Sequence, residues 1–132
     1  MSTAVILIVD DEKLLRLTLK SRLESKDFVV FEAETAGEAM RLVAEQDPDL
    51  VLLDYQLPDR DGFEVLDTLL QKDRDLPVIM ITGHGSVESA VRAMRRGAVD
   101  YLEKPFEFEA LLLSVETAMQ TTALRREVRR LR

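Results

Sequence analysis

Five short, β-rich apolar runs punctuate the chain: Ala4 to Val9, Phe28 to Ala33, Leu50 to Leu53, Pro77 to Ile81 and Val99 to Leu102. Between them the apolar residues recur every three or four positions, the period of helices that bury one face. The runs are spaced by roughly two dozen residues, enough for one helix in each gap, which predicts βα units and a parallel sheet. Runs one, three and four are almost wholly apolar, as strands covered on both faces should be, whereas runs two and five are shorter or more mixed and belong nearer the edges. The helical stripes read as core: Leu14, Leu15, Thr18, Leu19 and Leu23; Ala39, Met40 and Val43; Phe63, Leu66, Leu69 and Leu70; Val87, Ala90, Val91 and Met94; Leu111, Leu112, Val115 and Met119.

Boundary residues agree with this division. Thr35-Ala-Gly-Glu38 has the spacing of a capping box, Asp61 with Glu64 resembles another, and Gly97 stands where a helix should stop. Pro48 and Pro58 fall in predicted loops and Pro77 at a strand start, and no repeat, Gly/Ser linker or low-complexity tract interrupts the pattern. A (βα)5 chain of this kind predicts a doubly wound α/β sheet, in which ligands bind beyond the carboxyl ends of the strands at the topological switch point.

At 132 residues and 46% hydrophobic content the chain fits one domain with a sizeable core. No segment approaches the roughly 20 apolar residues of a membrane span, and Met-Ser-Thr lacks a basic leader, so a cytoplasmic protein is expected. Cysteine is absent, which removes disulfides and thiolate metal sites. A net charge of -7 argues against nucleic-acid binding by the domain itself. Arg125, Arg126, Arg129, Arg130 and Arg132 crowd the tail and read as a solvated helix face.

The polar residues that end the strands carry the chemistry. Asp10 and Asp11 follow the first run, Asp54 the third, Thr82 the fourth, and Lys104 lies just past the fifth. Parallel strands would gather these on one edge. Three converging carboxylates must protonate or share a cation. Oxygen ligands with room for water suit Mg²⁺, or Mn²⁺, with Asp11 and Asp54 as direct ligands, Asp10 acting through water and the backbone carbonyl of Gln56 completing the set. A carboxylate beside such an ion can attack phosphorus, while Lys104 and the Thr82 hydroxyl compensate the charge on the phosphoryl oxygens. Singly, each residue reads as scaffold: a helix cap, a β-former, a surface lysine. Their order on consecutive strand ends makes the case.

These residues resemble the receiver domains of two-component response regulators. The matching segments are Val9-Asp10-Asp11-Glu12, Leu53-Asp54-Tyr-Gln-Leu-Pro58 with Asp61-Gly62, Ile81-Thr82-Gly-His84-Gly, Gly97-Ala98-Val-Asp100-Tyr101 and Lys104-Pro105-Phe106, spanning Val5 to about Met119. The resemblance implies a flavodoxin-like sheet in the order 2-1-3-4-5 and a signalling module that assists its own phosphotransfer and dephosphorylation rather than an enzyme. It implies phosphorylation of Asp54 by a sensor histidine kinase, Mg²⁺ organised by Asp10 and Asp11, phosphate read by Thr82 and Lys104, Tyr101 as an aromatic switch, and a cis Lys104–Pro105 bond. By the same resemblance, Gln56 and His84 tune the phosphate lifetime.

Residues Ile81 to Phe106 look most like receivers of enhancer-binding, nitrogen-regulation type activators, implying a downstream ATPase domain, a DNA-binding domain and control of transcription. The expected division is a receiver over 1–119 and an extension of the last helix over 120–132 leading to an output domain. On that extension Thr117, Thr121, Leu124, Val128 and Leu131 recur at coiled-coil spacing, which predicts a homodimer. Two other classes fit less well. An aspartyl-phosphate phosphatase resembles a motif with a second Asp two residues past the nucleophile, where Gln56 stands, and a flavin module needs a phosphate-binding loop where Asp10-Asp11 would repel it.

Overall fold

The computed structural model describes residues 3–83 and 85–131. Strands and helices alternate without exception: β1 (Val5–Val9), α1 (Lys13–Glu24), β2 (Val29–Ala33), α2 (Ala36–Gln46), β3 (Leu50–Asp54), α3 (Gly62–Lys72), β4 (Val78–Thr82), α4 (Val87–Arg95), β5 (Asp100–Glu103) and α5 (Phe108–Leu131). All five strands are parallel, in the order β2-β1-β3-β4-β5. The apolar strands β1, β3 and β4 are central, and the mixed strands β2 and β5 take the edges.

Because side chains alternate across a strand, each central strand feeds two cores. Leu7, Val9, Val51, Leu53, Val78 and Met80 face α2, α3 and α4, where Ala39, Phe63, Leu66, Leu69 and Ala93 complete the packing. Ile6, Ile8, Leu50, Leu52, Ile79 and Ile81 face α1 and α5, against Leu19, Leu23, Phe108, Leu111 and Val115. Arg22 bridges these two helices, its guanidinium 4.3 Å from the centre of the Phe108 ring.

Two apolar stripes behave differently from their sequence reading. Leu14 is 78% exposed, because the buried line of α1 runs through Arg16, Leu19 and Leu23, with Leu15 only half-buried beside it. On α4 the only buried helical residue is Ala93; Val87, Val91 and Met94 face solvent. The helix is instead fastened by polar and cation–π contacts, with Arg92 lying 4.2 Å over the Phe63 ring and Arg96 paired with Asp67 at 3.1 Å.

The caps also carry detail that spacing alone does not give. Thr35 accepts from the Glu38 N–H as predicted, but Glu38 returns its bond to the N–H of Glu34. Asp61 caps α3 through the N–H of Phe63, and the reciprocal capping box lies at Ser86 and Ser89, opening α4. Gly97 ends the turn after α4 at φ +106, a left-handed conformation that costs glycine nothing. No described helix is long and apolar enough to cross a membrane.

Candidate functional site

The sheet reverses its winding at β1, which pairs with β2 on one side and β3 on the other, so a crevice opens beyond the carboxyl ends of β1 and β3. Asp10 follows β1 and Asp54 is the last residue of β3. Both are buried; Asp11 is exposed. One carboxylate oxygen from each of Asp10, Asp11 and Asp54 falls within 4.8 Å of the other two.

Each buried acid locks the loop that follows it. Asp10 Oδ1 accepts the N–H of Glu12 at 2.8 Å, and Asp54 Oδ1 accepts the N–H of Gln56 at 3.0 Å. These turns commit one oxygen of each carboxylate to the backbone and leave the other for the crevice. Gln56 also bridges Asp61 through the backbone, which folds the β3–α3 loop back on itself. Gly62 closes that loop against the strand: its N–H donates to the Tyr55 carbonyl at 2.9 Å, and a Cβ there would sit 2.6 Å from the carbonyl oxygens of Asp54 and Tyr55.

Lys104 enters from the end of β5, where its N–H donates to the Thr82 carbonyl at 2.7 Å and its peptide bond to Pro105 is cis. Its ammonium lies 2.9 Å from Asp10 Oδ2, 2.8 Å from Glu12 Oε1 and 3.4 Å from Asp54 Oδ2. Burial alone would depress the lysine, but its close pairing with Asp10 and Glu12 and the charge of Asp54 outweigh it and push its pKa up, so it stays a cation. Burial likewise raises Asp54, from 3.8 to about 6; the Gln56 N–H works against this, while the charge of Asp10 adds to it.

The cluster is therefore over-supplied with negative charge, and one ammonium is shared among three carboxylates. Asp10 Oδ2 accepts no well-directed hydrogen bond and meets Lys104 only as an ion pair. A buried, under-satisfied oxygen beside two further carboxylates fits a hard divalent cation that keeps several waters.

Thr82 ends β4, fully buried, and joins the site through the Lys104 backbone. Tyr101 lies further out, half-buried, with its hydroxyl 3.0 Å from Ser89 Oγ at the start of α4. His84 lies outside the described residues.

Four contacts escaped the sequence reading. Glu12 grips Lys104. Arg16 is buried under the β1–α1 loop, where Nη1 donates to the Asp10 carbonyl at 2.6 Å and Nε meets Glu32 at 3.2 Å. The 16-19-23 spacing on α1 was the available signal for this arginine. Asp59 reaches from the β3–α3 loop to the N–H groups of Ala36 and Gly37, which cap α2 and hold the Asp59 carboxyl below the usual carboxylate range. Ser89 takes the Tyr101 hydroxyl, a long-range pairing that no local spacing marks.

Comparison with known proteins places this geometry. Residues 6–116 match the family profile described as response regulator receiver domain. Over 129 residues the chain is 41% identical to the nitrogen assimilation regulatory protein NtrX of Azorhizobium caulinodans, covering 96% of this chain and 28% of that protein. Over 127 residues it is 42% identical to the C4-dicarboxylate transport transcriptional regulatory protein DctD of Pseudomonas aeruginosa, again covering 96% and 28%. The crystal structure of NtrX from Brucella abortus in complex with ADP superimposes with a TM-score of 0.93 at 41% identity, covering 99% of this chain and 30% of that one. The chain thus spans little more than a quarter of the length of these curated relatives.

Proposed function

The chain belongs to the receiver domains of response regulators, and on that premise we propose that Asp54 accepts a phosphoryl group from a sensor histidine kinase and that the phosphate controls an attached output domain. The observation that carries this reading is the convergence of Asp10, Asp11 and Asp54 within 4.8 Å beside the Lys104 ammonium.

Asp10, Asp11 and Asp54, with the carbonyl of Gln56, would hold Mg²⁺ or Mn²⁺. When bound, the ion offsets the crowded carboxylates and the charge on one phosphoryl oxygen. With its pKa raised only to about 6, Asp54 is mostly ionised at neutral pH and is the nucleophile. An Asp54 oxygen forms a bond to phosphorus while the bond from phosphorus to the kinase histidine breaks; the departing imidazole keeps that electron pair and takes up a proton. The transition state spreads charge over the equatorial oxygens, so positioned cations and donors do most of the work. Lys104 meets one of these oxygens and the Thr82 hydroxyl another.

The signal leaves through Tyr101. Drawing Thr82 and the following loop toward a phosphate alters the space beside Gly85, over which the Tyr101 hydroxyl lies, and so weakens the hold of Tyr101 on Ser89 and α4. Gln56 at the loop and His84 past Thr82 set water access and hence phosphate lifetime. The module assists its own phosphotransfer and dephosphorylation and turns over no separate substrate.

The part beyond residue 119 is the start of a linker, on which two copies pair. Leu124, Val128 and Leu131 of α5 are exposed at four-three spacing, beyond the last buried apolar residue, Ala118, which supports this use. The greater length of the relatives and the name of DctD support an output that regulates transcription, which on this reading lies in downstream ATPase and DNA-binding domains of a cytoplasmic protein.

The test is intact-mass spectrometry of wild type and Asp54→Ala after incubation with acetyl phosphate, with and without Mg²⁺. One phosphoryl increment that requires both Asp54 and Mg²⁺ is expected. An increment that persists in Asp54→Ala moves the acceptor elsewhere and ends this assignment.

A further inference from the structure

Resting on the aspartyl-phosphate reading above, we propose that Glu12 is a positioning residue that draws Lys104 away from Asp54 and thereby slows phosphorylation of Asp54. Glu12 is the N-cap residue of α1, a position usually capped by the short side chains of Ser, Thr, Asp or Asn; the longer Glu12 side chain makes no capping bond. It turns instead to the ammonium of Lys104, 2.8 Å away, closer than Asp54 Oδ2 at 3.4 Å.

The ammonium meets all three carboxylates at once but has a single position, and the pull of Glu12 and Asp10 leaves its contact with Asp54 the longest of the three. Asp10 also holds Lys104, at 2.9 Å, but belongs to the acidic cluster that a cation would occupy. Glu12 lies outside that cluster, so its claim on the lysine persists when the cluster is filled. Its side chain is 61% exposed, and the grip is correspondingly weak. An ion pair of that kind biases the position of the lysine by a factor of about two to five. A grip of this strength slows the switch without disabling it.

The experiment measures the rate of Asp54 phosphorylation by acetyl phosphate at saturating Mg²⁺, followed by intact mass, in wild type, Glu12→Gln and Glu12→Asp, with thermal unfolding of each alongside. Glutamine keeps the length and loses the charge; aspartate keeps the charge and is one methylene short of the lysine. Both variants are expected to be phosphorylated about two- to fivefold faster than wild type, with the melting temperature unchanged in Glu12→Gln and unchanged or higher in Glu12→Asp, whose shorter carboxylate can cap α1. Equal rates in all three proteins overturn the inference and leave the phosphoacceptor reading standing. Acceleration in Glu12→Gln alone also overturns it, since the effect then comes from the field of the carboxylate and not from its hold on Lys104. A wild type that takes up no phosphoryl group, where a control receiver is labelled, overturns the phosphoacceptor reading and this inference with it.

Discussion

Replacing Asp54 by asparagine should make the metal-free protein more stable, and by an amount that depends on pH in a calculable way. Asp54 is only 4% exposed, and its pKa is raised from 3.8 to about 6, first by burial and further by the charge of Asp10. An acid whose folded-state pKa lies above its unfolded value binds its proton more tightly when folded. Its contribution is fully present below pH 3.8 and is lost as pH rises through about 6. At about 1.4 kcal/mol per unit, the full loss is about 3 kcal/mol. Asparagine has nearly the same shape and does not titrate, so Asp54→Asn should exceed wild type by about 3 kcal/mol at pH 8 and by about half of that at pH 5. In melting temperature the larger figure is about 10 °C for a domain of this size. The assay is urea unfolding followed by circular dichroism across this pH range, in the presence of a chelator. Added Mg²⁺ should then stabilise wild type more than the variant, because the ion binds the folded carboxylates. A stability difference that stays flat with pH, or a variant less stable than wild type at pH 8, would refute the claim that the site stores unfavourable charge.

Other substitutions probe the supports around the site. Arg16→Leu leaves Glu32 and the Asp10 carbonyl without their buried partner and should cost about 3 kcal/mol in urea unfolding, with weaker Mg²⁺ binding by calorimetry. Gly62→Ala forces a methyl against the Asp54 and Tyr55 carbonyl oxygens and should lose about 3 kcal/mol, measured the same way. Tyr101→Phe should cost about 1 kcal/mol and Ser89→Ala about 2 kcal/mol, because the latter also breaks the capping box with Ser86, and their double-mutant cycle should show coupling from the hydrogen bond they share. In hydrogen exchange, the amides of α4, with Ala93 its only buried helical residue, should exchange faster than those of α3, which buries Phe63, Val65, Leu66 and Leu69.

Much of this architecture was legible in the sequence because its signals are local or periodic. Central strands declare themselves by unbroken apolar runs, and parallel βα winding then brings Asp10, Asp54, Thr82 and Lys104 to one edge whatever the finer packing. What escaped depends on side-chain reach across the fold. An arginine between Leu15 and Leu19 looks solvated until Glu32, Glu34 and the Asp10 carbonyl are brought to it by the β1–β2 pairing. Asp59 looks like a loop acid until α2 presents its N-terminus. The apolar stripe of α4 misled because periodicity shows that a helix has an apolar face without showing whether that face has anything to cover. Here the inward side is filled by Ala93 and by arginines stacked on Phe63, so Val87, Val91 and Met94 are left outside.

That misreading bears on how such a site can signal. The acidic cluster stands on β1 and β3, whose residues are almost all fully buried, so the carboxylates are held by the stiffest part of the molecule. The helix beside Tyr101 is held quite differently: one buried alanine, a pair of guanidinium groups over a ring, an ion pair with Asp67 and a hydroxyl contact at Ser89. A densely packed face moves only by opening cavities, which cost several kcal/mol, whereas polar contacts near the surface exchange with water for about 1 kcal/mol each. If charge added at Asp54 is to change a surface that another domain reads, the change is least costly where attachment is polar. Phe63 ties the two regions together, since its ring meets that of Tyr55, the residue after Asp54, edge to face and carries Arg92 and Arg96 on its other contacts. The exposed Val87, Val91 and Met94 then lie on the element most easily repositioned, and a switch that turned α4 would move an apolar face while displacing only Ala93 from the core.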